Sequence, residues 1–148
     1  MSAFEKAMEL LRMGEGEGAR RELEQLPPGS AEALYGRGLL ADLEGDLART
    51  EQLLAEAHAA SPAWPELACD LAMLLLARSE DDAAARVLEP AFAAHPDDAR
   101  VNLHVAMALA KTSLERARAC AAKAMKSEDP SIQGQARALY STLAEHSG

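Results

Sequence analysis

The chain has 148 residues, enough for one domain that buries roughly 70% of the surface its unfolded form exposes. Apolar residues make up 49% of it and aromatics only 3%; most of the apolar set is alanine and leucine, both strong helix formers, which excludes a strand-rich architecture and predicts an all-α fold. A net charge of −9 excludes a phosphate-backbone partner such as nucleic acid, whose binding needs Lys and Arg to displace counterions. The charge is uneven: residues 1–98 hold 20 acidic and 8 basic side chains, residues 99–148 hold 4 and 7. Cys69 and Cys120 form no C-x-x-C pair, so neither a zinc site nor a dithiol motif is expected, and a reduced, cytoplasmic setting is the expectation. No stretch has the length of a membrane span or the pattern of a signal peptide.

In chain order, residues 3–26 read as a shortened helix hairpin: FEKAMELLRM, a glycine-rich turn, then a brief ARRELEQL helix before Pro27-Pro28. AEALYGRGLLADLE follows with apolar residues at helical spacing, then a Gly45-Asp46 break and a second amphipathic helix, LARTEQLLAEAHAA. The same order recurs from Pro65, with a break at Ser79-Glu80, and from Ala99, with a break at Ser113 and a second helix shifted by one residue. SIQGQARALYSTLAEHSG reads as a last amphipathic helix with Ile132, Ala136, Leu139 and Leu143 on its apolar face, N-capped by Asp129 or Ser131. Trp64 stands between two prolines and reads as a packed linker residue.

Four prolines punctuate this order at a constant spacing of 34 residues: Pro28, Pro62, Pro96 and Pro130. Each ends a helix, because proline has no N–H to continue it and pushes the preceding residue toward extended geometry. Stacking the segments at that period places Gly38, Ala72 and Ala106 in one column, where small side chains let paired helices approach. Leu54 and Leu88 share another and are expected to fill the gap to the neighbouring hairpin. One hairpin cannot bury its own apolar faces, so stacking is obligatory.

This pattern resembles the tetratricopeptide repeat family over at least residues 31–130. The first full unit carries Leu34, Gly38, Gly45-Asp46, Ala57 and Pro62, and the second Leu71, Ala72, Ala84, Ala91 and Pro96. Departures stand at Arg37, where the family usually has leucine, at Thr50, usually alanine, and at Asn102, usually a large apolar residue. The resemblance implies a right-handed α-solenoid of stacked hairpins over 1–148: a short degenerate repeat at 1–30, full repeats at 31–64, 65–98 and 99–130, and a capping helix at 131–148.

No catalytic constellation emerges from the sequence. His58, His95, His104 and His146 lack metal-binding spacing, and no nucleophile elbow or P-loop lysine is present. The stretch GEGEGARR from Gly14 to Arg21 is no phosphate loop: a helical pattern precedes it instead of a strand, its glycine spacing is wrong, and its glutamates would repel phosphate. It reads as a bend, and the loosest joint of the array. The chain is expected to be no enzyme, with no cofactor and no metal.

The resemblance implies a groove lined by the first helices of successive hairpins, where partners of the family lie. Its positions map to Glu32, Tyr35, Gly36, Leu39 and Asp42; to Glu66, Cys69, Asp70, Met73 and Leu76; and to Arg100, Leu103, His104, Met107 and Lys111. Tyr35, Leu39, Cys69, Met73, Leu76, Leu103 and Met107 would form an apolar stripe suited to an extended peptide or amphipathic helix. The alternative is that the stripe is core, covered by the C-terminal helix or by a second copy of the chain. Family members that bind acidic chaperone tails use a lysine–asparagine–arginine clamp. Here Arg100 and His104 match two basic places, but Tyr35 and Leu39 replace the lysine and asparagine and Asp70 adds a negative charge, so no such binding is expected.

The function expected is a non-catalytic adaptor or scaffold holding a protein segment in its groove. Two alternatives stand beside it: a small acidic chaperone of the bacterial secretion type, and a self-assembling subunit, possible as a homodimer, whose groove is filled by its own copy. In a monomer with an open groove Cys69 is expected to react with thiol reagents, and in a dimer to be protected.

Overall fold

Punctuation by proline and turn residues leaves helices of two to four turns. The computed structural model describes residues 1–145, and every regular element among them is an α-helix. These are α1 (Ala3–Arg12), α2 (Gly16–Leu23), α3 (Ala31–Leu43), α4 (Leu47–Ala60), α5 (Pro65–Ala77), α6 (Asp81–Ala94), α7 (Ala99–Leu109), α8 (Leu114–Ala124) and α9 (Pro130–Glu145). His146, which the sequence gives no metal-binding spacing, lies outside the described residues, as does the end of the expected capping helix at 146–148. The chain divides into two compact units, one spanning Met1–Pro62 and the other starting at Ala63.

At α1, α3, α4, α7 and α9 a side chain accepts a free backbone N–H group of the first turn. Ser2 and Glu5 cap α1 reciprocally. Ser30 accepts from the Ala33 N–H at 3.2 Å, Asp46 from Arg49 at 3.1 Å and Asp98 from Val101 at 2.9 Å. For α9 the cap is Asp129, accepting from the Ser131 N–H at 2.9 Å.

The first three hairpin turns share one geometry. A residue in the left-handed region follows the helix, and the N–H after it reaches back five residues: Glu15 to the Leu10 carbonyl at 2.8 Å, Asp46 to Ala41 at 2.9 Å and Glu80 to Leu75 at 2.9 Å. The left-handed residues are Gly14 (φ 78°), Gly45 (φ 82°) and Ser79 (φ 61°). In the fourth turn Ser113 is extended (φ −148°) and its N–H bonds to Leu109 at 2.8 Å instead. That different closure starts α8 one residue early in the repeat, as the shifted apolar face predicts.

One expectation needs correcting. The Gly14-Glu15 pair breaks the first hairpin as Gly45-Asp46 breaks the next, but the helix expected as ARRELEQL begins at Gly16, with Glu15 accepting from the Ala19 N–H at 3.1 Å, and ends at Leu23 rather than Leu26. Gly16 and Gly18 work as contact points: a methyl group there would lie 3.4 Å from Leu40 and 3.3 Å from Leu10. Leu54 is buried within the first unit. Its side chain covers Gly38 of its own hairpin, where a Cβ would stand 3.0 Å away.

Of the departures from the repeat pattern, Thr50 and Asn102 have their donors paired, while the Asn102 Oδ1 is buried without a partner. Thr50 is buried and its hydroxyl donates to the Asp46 carbonyl at 2.8 Å. Asn102 is fully buried and its amide donates to the Pro96 and Asp98 carbonyls at 2.9 Å each, tying α7 to the loop before it. A buried polar group costs stability unless paired, and these donors are.

Within the first unit α1 packs on α2 and α3, and α3 on α2 and α4. Within the second, α5 packs on α6 and α7, α7 on α6 and α8, and α9 lies against α7 and α8. Ala136 and Leu143 of α9 are buried and Ile132 and Leu139 half-buried, the face its sequence predicts.

Candidate functional site

The first helices of the three full hairpins, α3, α5 and α7, with Lys111 just beyond α7, carry the positions expected to meet a partner. In the first unit Tyr35 is buried, its ring 6.3 Å from that of Phe4 and tilted by 34°. It joins α1 to α3 and is core rather than surface. Gly36 is buried against Leu23 of α2, with which any Cβ would collide. Leu39 and Asp42 do face a concavity, a cleft of about 290 Å³ whose other walls are Met8, Leu11, Arg12 and Leu43. The four walls other than Leu39 and Asp42 were not among the predicted positions. The signal for α1 was legible, since Phe4, Met8 and Leu11 recur at i, i+4 and i+7 on one face.

In the second unit the predicted positions separate into three groups. Cys69, Leu103 and His104 are buried and offer no surface, against expectation. Leu103 is covered because it packs with Ala124 of α8 and Ala136 of α9, flanked by Met125, Ile132 and Leu139. Met73 and Met107 stand exposed, at 49% and 37%, with Leu76 half-buried. Exposed methionines two helices apart present polarizable, adaptable surface. The remaining positions are charged. Arg100 Nη2 donates to Asp70 Oδ1 at 2.5 Å, joining α5 and α7, while Lys111 is exposed with Asp81 3.8 Å away.

Electrostatics removes the two basic places that matched an anionic clamp. Arg100 is bound to Asp70. Burial pushes the His104 imidazole below its ordinary value of 6.5, although the Arg100 carbonyl, 2.8 Å from Nδ1, favours the protonated ring. Burial likewise raises the Cys69 thiol to about 12, against the opposing pull of Arg100. Cys69 is therefore inert inside a single chain, and its protection does not distinguish monomer from dimer as expected. Cys120 is buried and its thiol is also raised by burial.

Among the described residues no group of three or more His, Cys, Asp and Glu side chains is arranged to hold a metal, and no helix is long and apolar enough to cross a membrane.

The chain's fold is similar to that of solved proteins along nearly its whole length. TTC0263, a thermophilic TPR protein of Thermus thermophilus, is 18% identical over 97% of this chain and 80% of its own, with a TM-score of 0.66. The chain has the tetratricopeptide-repeat fold. MamA of Desulfovibrio magneticus RS-1 is 25% identical over 95% of this chain and 86% of its own, with a TM-score of 0.64. MamA of AMB-1 is 18% identical over 97% and 86%, with a TM-score of 0.70. No family model matches the sequence, and no curated protein matches it. The repeat assignment rests accordingly on the proline period, the shared turns and these structures. A tetratricopeptide-repeat fold supports an interaction scaffold in general, and the particular surface has to be argued from exposure.

Proposed function

We propose that this protein is a non-catalytic adaptor that binds an apolar peptide segment or amphipathic helix of a partner through the exposed faces of its first helices. In the first unit the binding residues are Leu39 and Asp42 with Met8, Leu11 and Leu43; in the second they are Met73, Leu76 and Met107, with the Asp70–Arg100 pair and Lys111 as polar borders. The observation that carries this reading is the exposure of Met73 and Met107 on helices whose other predicted apolar groove residues are buried or half-buried. An amphipathic ligand anchored every three to four residues would cover such side chains.

The test compares wild type with the Leu39→Glu, Met73→Glu double variant, after circular dichroism establishes equal helicity. Proteins crosslinked and enriched by the wild type should be lost from the variant, and identical capture by both removes the proposal. Light scattering across concentration gives the second arm. A dimer that the double variant abolishes would replace the adaptor by a self-assembling subunit, the alternative in which the same side chains meet a second copy.

A further inference from the structure

A second cavity in the first unit lies on the opposite side of α3 from Leu39 and Asp42. Ala33, Arg37 and Leu40 of α3 point into it, at a helical spacing that separates them from Tyr35, Leu39 and Asp42. Its volume is about 360 Å³, and Leu23, Leu26 and Pro28 complete an apolar floor. Three arginines, Arg20, Arg37 and Arg49, border it against one carboxylate, Glu24. Half of the six basic side chains between Met1 and Pro62 thus gather at one cleft of an acidic protein.

Arg20 is held by Glu44 at 2.8 Å and by Glu17 at 3.7 Å. Among the described residues no carboxylate forms an ion pair with Arg37 or Arg49. Arg37 is one of the departures from the repeat pattern, standing where leucine is usual. The second unit supplies an internal comparison, a cavity also of about 360 Å³ lined by Ala85, Glu89, Val105 and Arg116 among others. Ala85 and Glu89 are the fifth and ninth residues counted from the start of α6, as Arg20 and Glu24 are from the start of α2. Arg116 is the third residue of α8, as Arg49 is of α4, and Val105 stands two repeat periods after Arg37. The same cavity therefore carries three cations and one anion in the first unit, and one of each in the second.

From this difference we infer that the first-unit cleft is a docking site for an acidic peptide segment of a partner protein, with an apolar side chain on the leucine floor and flanking carboxylates paired to Arg37 and Arg49. Paired guanidinium groups suit carboxylates through two parallel N–H donors, and partly enclosed walls strengthen the pairing. The apolar floor selects a peptide over a small inorganic anion, which would gain nothing from it. The site is separate from the proposed groove, where Asp70 already occupies Arg100, and stands or falls independently of it.

The experiment titrates the isotope-labelled full chain with a short peptide in which glutamates flank a single leucine, with its glutamine counterpart, and with inorganic phosphate. Expected are saturable amide shifts confined to residues 20–49 for the glutamate peptide, and none of comparable size for the other two. Arg37→Leu restores the residue usual in the repeat, so the fold should survive, and affinity should fall about tenfold or more. Arg49→Gln should weaken binding similarly, whereas Leu39→Glu and Arg116→Gln should leave it unchanged. Equal binding of the glutamine peptide, undiminished binding by Arg37→Leu, or shifts scattered beyond the cleft would overturn the inference. Phosphate shifting the same amides as strongly would overturn it too, by making the cleft a general anion site.

Discussion

The two compact units use the same hairpin and put it to different chemical ends. Each has a cavity at the same register, of the same volume, and each buries a leucine, Leu54 or Leu88, at the same place in the repeat. In the second unit the cavity is lined by Val105 and Ala85 and α9 closes over Leu103, so apolar packing dominates. In the first, Arg37 and Arg20 hold the equivalent places and the cavity becomes a charged cleft. The lesson is that a repeat specifies where a cavity lies, while the residues free to vary at its walls decide what it can hold.

The largest expected effect tests whether the packing of the two units is equivalent. Leu54→Ala and Leu88→Ala, one in each unit and both buried, should each destabilise by about 3 kcal/mol in urea unfolding. A cost below half of that for Leu54 alone would show the first unit to be loosely packed, and hydrogen exchange, expected fastest over residues 1–27, would locate the looseness.

A smaller effect should belong to the second unit alone. His104 is buried with its folded pKa depressed below 6.5, so the unfolded chain binds the proton more readily. Its contribution to stability is complete above the unfolded value and is lost as pH falls through it, with a slope of at most about 1.4 kcal/mol per pH unit. His104→Gln should flatten the unfolding free energy between pH 7.5 and 5.5, to which titration of His104 is assigned. An unchanged slope would show that His104 does not carry it.

The smallest effect compares the turns. Gly45 and Ser79 hold the same left-handed position, and only serine is strained there. Ser79→Gly should stabilise by about 1 kcal/mol, and Gly45→Ser should destabilise by a similar amount. Equal thermal midpoints for all three proteins would mean that the left-handed position carries no such penalty in either turn.

Much of the architecture was legible because it is written in short-range terms. A proline stop, a capping Asp or Ser and a left-handed turn residue act within five residues of themselves, and the period of 34 repeats them. The binding surface was less legible. Helical spacing puts Tyr35, Leu39, Cys69, Met73, Leu103 and Met107 in register, yet Tyr35 is covered by Phe4 and Leu103 by α9, from segments 31 and about 30 residues away. Met8 and Leu11 fall outside the repeat consensus because the first hairpin is shortened.

By itself the sequence determined the helices, their pairing into hairpins and the places where small residues must stand, since these follow from local stereochemistry and a repeating pattern. Only the tertiary structure decided which apolar residues stay in water, that Asp70 neutralises Arg100, and that Arg20, Arg37 and Arg49 converge. Those outcomes depend on side chains brought together from different helices, and no spacing along one helix encodes its neighbours.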